Sequence, residues 1–101
     1  MADHAADKRR TVTVKIEGRV QGVYYRAWTE QTARVLGLDG TVLNASDGSV
    51  EAVFSGPADK VDEMLRRCAE GPPDARVTKV TVTKEGGSVG PGFRVLGTNW
   101  R

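Results

Sequence analysis

The sequence predicts a single α+β domain with two helices on one face of an antiparallel sheet of about four strands. Three observations support this fold class. The chain has 101 residues, the length of one domain with its own core. Segments of period-two alternation are interleaved with two segments of helical periodicity. Their order, β-α-β-β-α-β, gives a split βαβ sandwich when both crossovers are right-handed.

The first strand and the first helix are predicted at residues 11–17 and 25–36. TVTVKIE alternates apolar and polar side chains, which is typical of a half-buried strand. In the helix, Glu30 and Arg34 are spaced for an ion pair, and Gly37 follows as a stop signal. The inward face of this helix is predicted to consist of Tyr25, Trp28, Thr29, Thr32, Ala33 and Leu36.

A hairpin and a second helix follow. The hairpin is predicted at residues 40–55, and the dipeptide Asp47-Gly48 favours a type I′ turn. The helix after it ends at Gly71, which is followed by two prolines. We predict that this helix buries Val61, Met64, Leu65 and Cys68, and that its surface pairs Asp62 with Arg66 and Glu63 with Arg67.

The last strand contains Val80 and Val82 at alternating positions. Val77 has the opposite parity, which indicates a bulge or a bend. After the glycine-rich loop EGGSVGPG, residues 93–95 are a short terminal stretch that would close the sheet. The face of the sheet without helices is predicted to be mostly polar, with Thr13, Lys15, Glu17, Glu51, Val53 and Thr81 on it.

The composition excludes several classes of protein. With 39% hydrophobic and 28% charged residues, the chain resembles ordinary soluble proteins, and no apolar run reaches the roughly 20 residues of a membrane helix. Residues 1–10 lack the apolar stretch of a secretion signal, so we interpret them as a flexible tail before one domain at residues 11–101 and expect a cytoplasmic location. The net charge of +2 is too balanced for non-specific nucleic-acid binding. Nothing in the sequence suggests more than a monomer.

Neither a metal site nor a reactive cysteine is indicated. Cys68 is the only cysteine of the chain and His4 its only histidine, which excludes an intrachain disulfide and a cysteine metal cluster. Cys68 falls on the apolar face of the second helix, where core packing is the better interpretation. The acidic residues are scattered over predicted surfaces without metal-ligand spacing.

The strongest chemical signal is GRVQGVYYR, residues 18–26, which joins the first strand to the first helix. The first amides of a helix lack intrahelical partners, and the helix dipole places about half a positive charge there, which favours an anion. Gly18 and Gly22 let the backbone approach a ligand closely, and Arg26 adds a planar guanidinium. A P-loop is excluded because no Gly-Lys-Ser/Thr follows. A glycine turn with two solvated arginines is the alternative, and the pattern alone does not decide between them.

The motif G-R-V-Q-G-V-x-[aromatic]-R at residues 18–26 resembles the signature of the acylphosphatase family. The resemblance extends over residues 11–96. It is also carried by Thr29, Ala33, Leu36-Gly37-Leu38, Gly40, Val42, Asn44, Asp47-Gly48, Val50-Glu51-Ala52, Ala75-Arg76-Val77, Val80 and Phe93. The chain departs from the family at two positions. The residue after Gly40 is often aromatic in the family but is Thr41 here, and the residue before Asn44 is often arginine but is Leu43 here. Both are predicted on the open face, so we expect altered surface or substrate affinity more than lost chemistry.

The resemblance implies a ferredoxin-like fold and a hydrolase that cleaves acyl phosphates to a carboxylate and inorganic phosphate. Water attacks directly in line, without metal, cofactor or phosphoenzyme, and inorganic phosphate is expected as product and inhibitor. The implied catalytic residues are Arg26, which holds the phosphoryl group, and Asn44, which orients the water. The implied phosphate-binding residues, which act through their backbone amides, are Val20, Gln21, Gly22, Val23, Tyr24 and Tyr25, followed by Arg26.

The residue types are chemically consistent with this assignment. A carboxylate with a pKa of about 4 leaves without being protonated, so no general acid is needed. Amides and one guanidinium match the charge on the phosphoryl oxygens in the transition state. Asn44 has an alternative interpretation as a residue favoured by the turn at Asp47-Gly48. Arg19 is interpreted as a structural or peripheral charge.

Two other classes of protein share features of this sequence. RNA-recognition domains share the β-α-β-β-α-β order, but they stack bases on aromatic residues of the open sheet face, where this chain has Thr, Lys, Glu and Val. A second class is an acylphosphatase-like domain that only binds or regulates, such as those fused to maturation proteins that use carbamoyl phosphate. The presence of both Arg26 and Asn44 favours an active enzyme.

Overall fold

The computed structural model describes residues 8–97, and the remaining residues at both ends lie outside the described part. Most of the tail predicted at residues 1–10 therefore falls outside it. The described chain forms the predicted α+β order with one strand added at its end. The elements are β1 (Arg9–Arg19), α1 (Tyr25–Val35), β2 (Asp39–Asn44), β3 (Val50–Pro57), α2 (Ala58–Glu70), β4 (Arg76–Glu85) and β5 (Phe93–Val95).

The five strands form one sheet in the order β4-β1-β3-β2-β5. β1 pairs antiparallel with β3 and with β4, and β2 pairs antiparallel with β3. β5 pairs with β2 in parallel. The sheet is therefore mixed and five-stranded, whereas the sequence predicted an antiparallel sheet of about four strands. Three residues are too few to show period-two alternation, so the sequence could not assign β5 a pairing partner or a direction.

The core lies between the helices and one face of the sheet. Val12, Val14 and Ile16 of β1 are fully buried there, as their alternation predicted. The helices bury Tyr25, Thr29, Thr32 and Ala33 from α1 and Val61, Met64 and Cys68 from α2. Trp28, Leu36 and Leu65 pack partly buried against the same core. The predicted inward faces of both helices are thus confirmed, and neither of these helices is long and apolar enough to cross a membrane.

The opposite face of the sheet is open and mostly polar, as predicted. Lys15 lies between Glu51 of β3 and Thr81 of β4 in the strand register. Glu17 of β1 pairs with Lys79 of β4, but the next residue, Gly18, pairs with Val77. One residue of β4 is skipped, so the register of β1 with β4 shifts between Glu17 and Gly18. This shift confirms the irregularity that the parity of Val77 indicated.

The turn of the hairpin differs from the prediction. A type I′ turn needs positive φ at both central residues, but Tyr24 is the one non-glycine residue between 8 and 97 with positive φ. Only Gly48 of the predicted pair has it, at 95°. The connection is instead a five-residue loop, closed by a bond from the Ala45 amide to the Ser49 carbonyl. Asp47 accepts a hydrogen bond from the Ser49 amide at 2.9 Å, a local bond that favours this loop.

One predicted ion pair is also wrong. Asp62 pairs with Arg10 of β1 at 2.6 Å rather than with Arg66, which pairs with Glu63. Arg10 also reaches Glu85 at 2.7 Å, so it links α2 to β4 across the end of β1. β1 starts earlier than expected, which brings Arg10 within reach. The predicted pairs Glu30–Arg34 and Glu63–Arg67 are confirmed.

Candidate active site

The loop at residues 20–24 connects β1 to α1 with two left-handed backbone positions. Gly22 has φ 75°, and a side chain there would meet open space. Tyr24 has φ 65° and ψ 23° and immediately precedes the first residue of α1, which no side chain caps. Among residues 8–97, no acceptor receives a hydrogen bond from the amides of residues 20–25. The loop therefore presents free N–H donors at the start of a helix.

The sequence suggested that Gly18 lets a ligand approach the backbone, but in the structure Gly18 lies where two strands come close together. Its φ is 122°, and a Cβ on it would collide with the carbonyl oxygen of Arg76 and the amide of Thr78. The missing side chain thus allows β1 and β4 to approach at the register shift. Of the two glycines that were expected to admit a ligand, only Gly22 lies where the backbone is open.

Gln21 connects the loop to the hairpin. Its Nε2 donates to the carbonyl oxygens of Ala45 and Ser49, each at 2.8 Å. The side-chain amide nitrogen of Gln21 therefore donates to both residues that flank the hairpin turn. This contact fixes the distance between the loop and Asn44, the last residue of β2.

The hairpin turn is held from β1 as well. Asp47 accepts hydrogen bonds from the Ser49 hydroxyl at 2.6 Å and from the Ser49 amide, and it pairs with Lys15 at 3.0 Å. The hydrogen bonds from Ser49, then the bond from Lys15, hold the pKa of the Asp47 carboxyl well below its usual range. The same pair raises the pKa of Lys15. Both groups are charged at neutral pH, and their ion pair holds the hairpin turn against the sheet.

A cavity of about 610 Å³ lies between the loop, the start of α1, the end of β2 and β5. Its volume falls within the roughly 300–1,000 Å³ typical of small-molecule sites. The cavity brings together the two predicted catalytic residues, Arg26 and Asn44. The other lining residues are Val20, Gly22, Tyr24, Tyr25, Ala27, Glu30 and Val95.

Arg26 is half-buried on the first turn of α1. Its Nη1 donates to the carbonyl oxygen of Leu96 at 2.8 Å, just beyond β5. This bond orients the guanidinium group, whose remaining N–H groups donate to no other residue between 8 and 97. The end of β5 and the residue after it therefore contribute to the cavity through Val95 and the Leu96 carbonyl, which the sequence did not predict.

Asn44 ends β2 with its side chain on the buried face of the sheet and is only 9% exposed. Its Oδ1 is buried and has no hydrogen-bond partner among the described residues. A buried carbonyl oxygen without a donor costs about 1–3 kcal/mol relative to a satisfied one. Such an orphaned acceptor at a cavity wall indicates a place for a ligand or a water molecule.

Two residues of the predicted phosphate loop do not contribute side chains to the cavity. Gln21 points to the hairpin, and the Val23 side chain packs in the core with 6% exposure. The sequence assigned both to the site through their amides, which are free. Thr41 and Leu43 lie on the open face opposite Val53 and Glu51, outside the cavity lining.

The hydroxyl of Tyr25 and the thiol of Cys68 belong to the core. The Tyr25 hydroxyl donates to the Cys68 carbonyl oxygen at 2.6 Å, and burial raises its pKa far above the usual value. Burial also raises the pKa of the Cys68 thiol to about 12. Both groups stay protonated at neutral pH, and the core interpretation of Cys68 is confirmed. Among residues 8–97, His, Cys, Asp and Glu form no cluster that would hold a metal ion.

The fold and the cavity define a small α+β protein in which the loop before the first helix and the asparagine that ends β2 line one cavity. The acylphosphatase family model matches residues 12–95. The chain is 52% identical to the acylphosphatase of Rhizorhabdus wittichii over 80 residues, which are 79% of this chain and 81% of that one. It is 50% identical to the acylphosphatase of Rubrobacter xylanophilus over 92 residues, 90% and 84% of the two chains.

A solved structure of an acylphosphatase from Coxiella burnetii has the same fold. It superposes with a TM-score of 0.81 at 35% identity, and the match covers 89% of this chain and 95% of that one. Sequence and structure therefore agree on one assignment. The chain belongs to the acylphosphatase family and is a hydrolase. The resemblance carried by residues 18–26 is confirmed.

Proposed function

We propose that the protein hydrolyses the carboxyl-phosphate bond of acyl phosphates by direct in-line attack of water on phosphorus. The observation that carries the proposal is that Asn44, whose buried Oδ1 has no partner within residues 8–97, lines the same cavity as Arg26 and the loop whose amides are free in that part of the chain. One wall of the cavity then binds an anion and the other binds a neutral polar molecule. A phosphoryl group and a water molecule satisfy both.

The phosphoryl group binds at the start of α1. The amides of residues 20–25 and the guanidinium of Arg26 donate to its oxygens, and the positive end of the helix dipole adds to the attraction. In the transition state, charge spreads over the equatorial phosphoryl oxygens. Donors that are already fixed by the loop and by the Leu96 carbonyl stabilise this charge without reorganising.

Asn44 orients the attacking water. Its Oδ1 accepts a hydrogen bond from the water, and this bond points an oxygen lone pair towards phosphorus. Its amide nitrogen remains as a donor for the water or for a phosphoryl oxygen. Holding water and phosphoryl group in line converts a bimolecular encounter into a reaction within one complex.

The reaction needs neither a general acid nor a protein nucleophile. The water oxygen forms a bond to phosphorus while the bond from phosphorus to the acyl oxygen breaks, and the electron pair of that bond leaves with the carboxylate. A carboxylate with a pKa of about 4 is stable in this form at neutral pH. The protons of the water end on inorganic phosphate and in solvent. No phosphoenzyme and no metal ion take part in this scheme, and inorganic phosphate competes with substrate for the same donors.

The proposal is tested by the hydrolysis of benzoyl phosphate in the presence of EDTA. We expect turnover well above the spontaneous rate, unchanged when EDTA replaces added Mg²⁺. Turnover that EDTA abolishes would reject the metal-free scheme. Binding of phosphate without any turnover would instead favour a domain that binds or regulates without catalysis.

A further inference from the structure

Tyr24 occupies a strained backbone position that the rest of the chain gives to glycine. Residues 8–97 contain nine glycines with positive φ, and Tyr24 is the one other residue with this conformation. A bulky side chain in the left-handed region is an outlier, because its Cβ crowds the backbone. Glycine would adopt the same conformation without strain. The tyrosine side chain must therefore have a use that offsets the strain.

The fold itself does not provide that use. Tyr24 is 82% exposed, the most exposed of the large hydrophobic residues described. Within residues 8–97 its hydroxyl has no hydrogen-bond partner, and its ring is in neither of the two aromatic pairs, which join Tyr25 to Trp28 and Phe54 to Phe93. Strained residues without a packing role cluster at sites that contact ligands.

The position of Tyr24 indicates what its ring contacts. Tyr24 lines the same cavity as Arg26 and Asn44, together with Ala27 and Val95. Ala27 lies three residues further along the helix, on the same side of α1. Val95 belongs to β5, is 38% exposed, and precedes the Leu96 carbonyl that holds Arg26. These three side chains give the cavity an apolar surface next to its phosphoryl donors.

One acidic residue also lines the cavity. Glu30 lines the cavity and is the carboxylate nearest in sequence to Arg26 on α1. Its partner Arg34 holds it at 3.0 Å and also donates to the Phe93 carbonyl oxygen of β5 at 3.0 Å. Glu30 is therefore already engaged by an arginine of its own helix and leaves the apolar side chains as the surface open to the acyl group.

We infer that Tyr24, with Ala27 and Val95, forms the contact surface for the acyl group and selects acyl phosphates with a flat, aromatic acyl group. This inference rests on the proposed hydrolysis of acyl phosphates. Aromatic rings gain from stacking on one another beyond the area they bury, whereas a methyl group has little surface to offer the ring. The ring of Tyr24 is free to stack because nothing in the described chain covers it.

The test compares kcat/KM for benzoyl phosphate with kcat/KM for acetyl phosphate. Tyr24→Asn removes the ring but tolerates the left-handed backbone, and Tyr24→Phe keeps the ring. Val95→Ala shortens the second part of the surface. Val35→Ala is the matched control, because Val35 is 80% exposed on α1 and does not line the cavity. The readout is the ratio of the two kcat/KM values, since the amide of residue 24 belongs to the proposed phosphoryl donors.

We expect the benzoyl-to-acetyl ratio to fall about three- to tenfold in Tyr24→Asn, mainly through KM for benzoyl phosphate. It should fall less in Val95→Ala and stay near the wild-type ratio in Tyr24→Phe and Val35→Ala. Equal losses on both substrates, or an unchanged ratio in Tyr24→Asn, would overturn the inference. If Tyr24→Asn does not fold, the benzoyl-to-acetyl ratio of Val95→Ala decides whether the inference holds. A wild-type protein that hydrolyses neither substrate would instead reject the proposed function.

Discussion

Arg26 makes one hydrogen bond among residues 8–97, which leaves its other N–H groups for the proposed substrate. Its Nη1 bonds to the Leu96 carbonyl, and its position on the first turn of α1 directs the guanidinium into the cavity. A planar fork can serve the carbonyl and a phosphoryl group together, whereas an ammonium group is a single point charge on a flexible chain. The role that we propose for Arg26 is therefore geometric as well as electrostatic.

Arg26→Lys should lower kcat/KM for benzoyl phosphate by about 10²- to 10³-fold, the usual effect of losing one donor to a transition-state oxygen. The melting temperature should change little, since the residue is half-buried at the surface. Arg19→Lys is the control, because Arg19 is exposed at the end of β1 and outside the cavity lining. Near-normal kinetics in Arg26→Lys, measured by steady-state assay, would remove Arg26 from the site.

At the scale of elements, the site depends on how the loop and the hairpin are joined. Gln21 bonds to both flanks of the turn, and the Lys15–Asp47 pair fixes the turn to β1. The sequence predicted the hairpin but misjudged the turn, because the dipeptide Asp47-Gly48 has a strong local preference that Ser49 overrides through its bonds to Asp47. Side-chain bonds of this kind have no sequence period and cannot be recognised before the structure.

Asp47→Asn tests the hairpin anchor through its pH dependence. The pKa of Asp47 is lowered in the folded state, so the carboxylate stabilises the fold above its unfolded pKa of about 4 and loses this effect as pH falls towards the lower folded value. We expect a melting temperature a few degrees below wild type at pH 7. Below pH 4 the difference should narrow.

The matched control for this anchor is Asp74→Asn, an exposed carboxylate in the turn between α2 and β4. Its melting temperature should follow that of the wild type at every pH. A difference between Asp47→Asn and wild type that stays constant from pH 7 to pH 2, followed by circular dichroism, would contradict the role of the Asp47 charge.

At the scale of the whole molecule, periodicity predicted the two helices and four of the strands, because long regular segments carry their own pattern. Residues 93–95 were expected to close the sheet and do so as β5, but three residues show no period, so their parallel pairing with β2 could not be predicted. The motif at residues 18–26 predicted Arg26 and the amide loop, and the resemblance added Asn44. The backbone of Tyr24 and the contact from Leu96 to Arg26 were invisible in the sequence, since a sequence shows neither φ angles nor long-range carbonyl positions.

We propose that the fold brings a phosphoryl site and a water-orienting amide to one cavity, where they act without a metal. The most direct measurement is the hydrolysis of benzoyl phosphate in EDTA by wild type and Asn44→Ala, with the inhibition constant of inorganic phosphate determined for both. We predict that Asn44→Ala loses about 10²-fold or more in kcat while phosphate still inhibits competitively with a similar constant. Near-normal kcat in Asn44→Ala would contradict the account.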